Sequence, residues 1–102
     1  MQEVVVKNLE NGTLNIVLSG DIDLGNADEF YTAVITAYKA TPANLCFDCE
    51  KLNFIDSTTL GTFVKILKAA KVDGYKMRLE KLQPKIKKLF LICSLDSIME
   101  LA

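Results

Sequence analysis

Leu52-Asn53-Phe54-Ile55-Asp56-Ser57-Thr58-Thr59-Leu60-Gly61 lies at the middle of the chain and sets the order of the elements around it. It leaves an apolar, strand-like patch, passes a cluster of hydroxyls behind one carboxylate, and opens an amphipathic helix. Asp56, Ser57 and Thr58 are all residue types that close helix N-termini, because their side-chain oxygens accept from the free N–H groups of the first turn. From Leu60 to about Val72, the residues Phe63, Val64, Ile66, Leu67, Ala69 and Ala70 form an apolar stripe, with Lys65, Lys68 and Lys71 as a solvated cationic edge. The spacing predicts strand, turn and helix, with the hydroxyls at the turn.

Upstream, Glu3 to Asn8 and Leu14 to Gly20 are β-rich runs separated by Glu10-Asn11-Gly12-Thr13, and Asn-Gly between such runs signals an antiparallel hairpin. Asp23 or Asn26 then caps a helix through about Lys39, with Ala27, Phe30, Tyr31, Val34, Ile35 and Tyr38 at helical spacing. Thr41-Pro42 ends it, since a residue before proline avoids helical geometry. Leu45 to Cys49 reads as a third strand, followed by a short connection and then Leu52 to Ile55, with Phe54 and Ile55 expected in the core.

Downstream, the helix from Ser57 should close at Asp73-Gly74. Met77 to Leu82 reads as a fourth strand of ambiguous faces, and Pro84 starts a third helix. Leu95 to Leu101 is a short final element, strand or frayed helix. Strands alternating with helices after an opening hairpin predict an α/β fold: a mixed β-sheet of four to five strands with helices packed mainly on one face.

A chain of 102 residues is the size of one domain, so residues 1–102 are expected to form a single unit. Half the residues are apolar and 25% are charged, the composition of a folded protein. A net charge of −1, with no basic cluster beyond Lys85, Lys87 and Lys88, argues against nucleic acid as a direct partner. Met1-Gln2-Glu3-Val4-Val5-Val6-Lys7 lacks a positively charged leader followed by a long apolar run, and no stretch approaches the roughly 18 apolar residues of a membrane span. The chain is therefore expected to stay in the cytosol without membrane insertion.

The chemistry on offer is sparse. There is no His, which rules out Ser-His-Asp and Cys-His arrangements. Asp21, Asp23, Asp28, Asp48 and Asp56 accompany no phosphate-binding loop, dinucleotide fingerprint, zinc-protease or EF-hand pattern, so neither an enzyme nor a cofactor is expected. Cys46 and Cys49 fit C-x-x-C, but residues three apart on a strand point to opposite faces. With Cys93 they make an odd count, which favours reduced thiols. No metal site is expected, because a zinc site would need further ligands.

Three segments carry a resemblance. The Asp56-Ser57-Thr58 turn before its helix, Leu14-Asn15-Ile16-Val17-Leu18-Ser19-Gly20-Asp21-Ile22-Asp23, and Pro84-Lys85-Ile86-Lys87-Lys88-Leu89-Phe90 are together similar to the STAS domain, the fold of bacterial anti-sigma factor antagonists. The resemblance spans about residues 3 to 100. It implies that unphosphorylated protein binds an anti-sigma factor with serine kinase activity and releases the sigma factor. It further implies that phosphorylation of Ser57 ends the interaction, with ATP belonging to the kinase and a serine phosphatase resetting the switch. Asp21, Asp23, Asp56, Ser57, Thr58 and Thr59 would form the partner surface. Two positions depart from the family pattern: Asp21 replaces the commoner Glu, and Thr59 stands where Gly is usual, where its branched side chain is expected to add bulk to that surface. The resemblance also admits a different class of role, an adaptor subunit of a lipid or anion transport system in which Ser57 is never phosphorylated.

Overall fold

The computed structural model describes residues 3–102; Met1 and Gln2, at the head of the segment read for a leader, lie outside the described residues. The chain runs β1 (Glu3–Glu10), β2 (Thr13–Ile22), α1 (Ala27–Ala40), β3 (Asn44–Ile55), α2 (Ser57–Val72), β4 (Met77–Glu80), α3 (Pro84–Ile92), a 3-10 turn (Leu95–Ser97) and β5 (Glu100–Leu101). The five strands lie side by side in sequence order. The β1–β2 pair is antiparallel and every later pair is parallel. Asn11 and Gly12 turn the hairpin with φ of 52° and 74°, the paired positive values that match a turn to the twist of its strands. Parallel neighbours cannot be joined by so short a loop, so each of the next three connections carries a helix or helical turn.

All three helices cover one face of the sheet, and four phenylalanines show how. Phe47 of β3 meets Phe30 of α1 and Phe63 of α2 edge to face, with ring centroids 6.3 and 5.5 Å apart. Phe63 also meets Phe30 at 5.0 Å and Phe90 of α3 at 5.5 Å. All four rings are fully buried. Phe63 is thus the ring through which α2 is keyed to both flanking helices and to the sheet, and truncating it to Ala would cost about 3–5 kcal/mol. The opposite face is polar: Asn15, Cys46, Asp48, Arg78 and Glu80 line it, and Arg78 bridges Glu80 at 3.0 Å and Glu100 at 2.9 Å.

Helix ends follow local chemistry. Gly74, at φ +84°, closes α2: its N–H donates to the Lys71 carbonyl while the Tyr75 N–H reaches back to that of Ala70. This is the double bond pattern that a left-handed residue after a helix makes possible. Pro84 occupies the first turn of α3, where the missing N–H would have had no intrahelical partner. Met77 and Leu79 resolve the faces of β4 by pointing into the core, and the final segment holds both a helical turn and a two-residue strand.

One expectation is corrected in β3, which is continuous from Asn44 to Ile55 instead of two pieces with a connection between them. Between the Val17–Asp48 and Ser19–Lys51 pairs, β3 carries one residue more than β2, and again between Gly20–Leu52 and Asp21–Phe54. Such bulges shift the inward phase of a strand without ending it. Cys49, Leu52 and Ile55 all point inward, three apart instead of two. Phe54 is pushed out of phase and stands 48% exposed, against its expected place in the core.

Candidate functional site

The C-terminal ends of β2 and β3 deliver two loops to the same edge of the sheet, and Asp56 joins them. As the N-cap of α2 it has an extended backbone, and its Oδ1 accepts from the Thr59 N–H at 3.0 Å. Its Oδ2 accepts from the backbone N–H of Leu24, 32 residues earlier, at 2.9 Å. One carboxylate therefore caps a helix and fixes the β2–α1 loop against it. These hydrogen bonds hold its pKa below the usual aspartate value, with the Thr59 N–H the largest cause, opposed by partial desolvation and helped by the Thr59 hydroxyl and the Leu24 N–H.

Thr59 completes the join from beneath. Its hydroxyl donates to the carbonyl of Ile22, the last residue of β2, and has Asp56 Oδ1 as a second acceptor at 3.0 Å. The residue is fully buried. The expectation that Thr59 adds bulk to a partner surface is therefore corrected: its side chain points into the molecule, because the first helical turn lies directly over the end of β2. Thr62, also buried, returns its hydroxyl to the Thr58 carbonyl at 3.0 Å.

The β2–α1 loop is a network of local bonds. Asn26 Oδ1 accepts from the Asp23 N–H at 2.8 Å, and its Nδ2 donates to the Asp21 carbonyl at 2.9 Å. Asp23 Oδ1 accepts from the Gly25 N–H, and the Asp23 carbonyl accepts from Asn26 and Ala27. Asn26 is thus the residue before α1, but its side chain is spent on the loop and does not cap the helix. Gly25 fits because a Cβ there would stand 3.2 Å from Asp23 Oδ1.

What reaches the surface is narrower than the sequence suggested and partly different. Ser57 and Thr58 are exposed at the start of α2 and Asp21 is exposed at the end of β2, while Asp23 and Asp56 are half-buried. The N–H groups of Thr59 and Leu60 are taken by Asp56, leaving those of Ser57 and Thr58 unpartnered among the described residues. Two apolar side chains that sequence reasoning missed are also exposed: Leu24, 76% exposed in the loop that Asp56 holds, and Phe54, two residues before Asp56 at the end of β3. A large aliphatic residue inside the turn-forming run Asp23-Leu24-Gly25-Asn26 was the available signal for the first. The described residues contain no group of three or more Asp, Glu and Cys placed to hold a metal ion. Cys46 and Cys49 lie on opposite sides of β3, and burial and the Glu80 carboxylate at 3.3 Å push the Cys46 thiol up to about 11.

The sheet is parallel apart from its opening hairpin, and Ser57 opens the second helix directly after its Asp56 cap. The chain belongs to the STAS domain family, whose model matches residues 5–102. Among individual proteins it is similar to the anti-sigma-B factor antagonist of Bacillus subtilis strain 168, at 31% identity over 97% of this chain and 89% of that one. Its fold matches an anti-sigma factor antagonist from Mycobacterium paratuberculosis with a TM-score of 0.80, at 19% identity over 99% and 85% of the two chains. It also matches the Bacillus cell fate determinant SpoIIAA in its phosphorylated form, with a TM-score of 0.75 at 20% identity over 98% and 91%. Among the described residues no helix is long and apolar enough to cross a membrane.

Proposed function

We propose that this chain is an anti-sigma factor antagonist whose binding to an anti-sigma factor with serine kinase activity is switched off by phosphorylation of Ser57. The observation that carries the reading is the setting of Ser57: an exposed hydroxyl at the first position of a capped 16-residue helix, with exposed Leu24 in the loop that the capping Asp56 holds and exposed Phe54 near the end of the preceding strand. A small polar group with exposed apolar side chains on the adjoining segments suits a protein interface. Its relationship to the Bacillus subtilis antagonist supports the same role.

The site supplies no catalytic group of its own, so the phosphoryl chemistry belongs to the kinase and its ATP, and a serine phosphatase reverses it. On the folded protein a phosphate at Ser57 meets the free N–H groups of Ser57 and Thr58 and the positive end of the α2 dipole, both favourable to an anion. The nearby Asp56 carboxylate opposes it. With these effects offsetting, the fold survives modification. The switch acts at the interface, where a dianion would be desolvated against a surface built for a hydroxyl. Asp21, Asp23, Asp56, Ser57 and Thr58 form the polar part of that surface, and Thr59 acts from below by holding the loop and the helix together.

The deciding experiment is mass spectrometry of the chain after incubation with the anti-sigma factor kinase encoded nearest its gene and ATP. Phosphate is expected on Ser57. Phosphate on Thr58 with Ser57 unmodified overturns the assignment, and a chain that neither binds nor is modified overturns the switch.

A further inference from the structure

The third helix has a second working face. Ile86 and Phe90 point into the core, yet Lys85, Lys88, Leu89 and Ile92 are all exposed and recur at i, i+3, i+4 and i+7, the spacing of a single helix face. Leu89 and Ile92 are 37% and 68% exposed, an apolar stripe that no part of the chain covers among the described residues. Next to it, Phe54, Ile55, Ile86 and Leu89 enclose a recess of about 180 Å³, with Lys85 and Asn53 at its rim. Asn53 is held in place by the Gln83 amide, which donates to it at 3.1 Å. A cavity near 150 Å³ accepts a group the size of benzene, so this recess takes one leucine or phenylalanine side chain.

Charge narrows the occupant. The helix carries three lysines and no acidic residue, and none of Lys85, Lys87 and Lys88 is in an ion pair among the described residues. Position narrows it further: Phe54 and Ile55 directly precede Asp56 and Ser57, so the recess and the phosphorylatable serine share one edge of the sheet.

We infer that the outer face of α3, with the recess beside Phe54, is a second docking subsite for an acidic amphipathic helix of the same partner that engages Ser57, one apolar side chain of that helix filling the recess. The inference rests on the switch reading above. It favours a protein over a lipid surface because a membrane has no use for a recess shaped for one side chain. Lys85, Lys88 and Leu89 belong to α3 and Ser57 to α2, so their contributions to affinity are expected to add.

The test is calorimetric titration of the purified anti-sigma factor kinase encoded nearest the gene with four proteins: the parent, Leu89→Ser, Lys85→Glu/Lys88→Glu and Ser57→Asp. The α3 substitutions are at exposed positions, and matching thermal melts confirm that the fold is intact. Leu89→Ser and the double charge reversal should each weaken binding about tenfold or more, as truncation of interface anchors does. The same loss should recur when each is combined with Ser57→Asp, and the salt dependence of parental binding should flatten in the double reversal. If the kinase binds the parent and Ser57→Asp weakens it while the α3 variants bind within about twofold of the parent, this inference falls and the switch stands. If no kinase binds the parent, the switch reading falls and takes this inference with it. Self-association of the parent abolished by Leu89→Ser in sedimentation would assign the face to a second copy, and pelleting with phosphatidylglycerol vesicles lost in the double reversal would assign it to a membrane; either overturns the proposal.

Discussion

Replacing Thr59 by Val isolates the hydroxyl that ties the two loops of the site together. The substitution keeps the branched shape and the helix propensity, and removes only the O–H that reaches the Ile22 carbonyl. That carbonyl belongs to a fully buried residue, and leaving such a group without its donor costs about 1–3 kcal/mol. Asp56 loses less, because its Oδ1 keeps the Thr59 N–H and its Oδ2 keeps the Leu24 N–H. The added methyl returns about 0.8 kcal/mol of burial. With the hydroxyl loss near the middle of its range, the net expectation is a loss of roughly 1 kcal/mol and at most about 2 kcal/mol, read in urea as a lower midpoint at unchanged slope, and as a drop in Tm of about 4–8 °C per kcal/mol for a domain of this size. A Val variant as stable as the parent would show that Thr59 is held by packing alone and that its hydroxyl clamps nothing.

Thr59→Gly, which restores the residue usual in the family, loses the hydroxyl and the methyl and adds backbone entropy in the helix, so urea unfolding should show a loss of about 3 kcal/mol, larger than for Val. Ser57→Asp places charge where the dipole of α2 tolerates it, so stability should change by about 1 kcal/mol or less while affinity for the anti-sigma partner falls by roughly two orders of magnitude; substantial unfolding with normal binding by the folded fraction would make the switch a folding effect. Asp56 has a folded pKa below the ordinary aspartate value of 3.8, so its contribution is complete above pH 3.8 and disappears as pH falls through the folded value. Asp56→Asn should therefore flatten the acid limb of a stability-versus-pH curve, and an unchanged limb would count against the double role of the carboxylate. At pH 8, exposed Cys93 should react with a thiol reagent first and Cys46 far more slowly, because a thiol at about 11 is only about one part in a thousand thiolate there. Buried Cys49 should react only after denaturation, when three free thiols are expected in all.

Docking experiments will have to reckon with the exposed surface as folded, which differs from the surface read along the chain. Phe54 is the plainest instance: an aromatic residue in an apolar run reads as core, yet neighbours on a strand face opposite ways, so only one of Phe54 and Ile55 can point inward. The two bulges of β3 overturn that reading, and a bulge is a property of pairing with β2, invisible in β3 alone. The continuity of β3 through Glu50 and Lys51 has the same origin, since pairing with β2 carries the strand across residues that read as a connection.

What the sequence determined by itself were the features with local causes: the Asn11-Gly12 hairpin, the helix opened behind Asp56, its closure at Gly74, the start of α3 at Pro84, and the placement of Cys46 and Cys49 on opposite sides of a strand. Each depends on backbone preferences and side chains within a few residues, so the information lies in the segment itself. Tertiary structure decided which of three adjacent hydroxyls reach solvent, and what stands beside them. Ser57 and Thr58 face outward, whereas Thr59 is buried because its hydroxyl finds the Ile22 carbonyl 37 positions away. Leu24 joins the site through an Asp56 carboxylate 32 positions away. Contacts of that range exist only once the parallel sheet brings the ends of β2 and β3 to one edge, so no reading of either segment alone contains them.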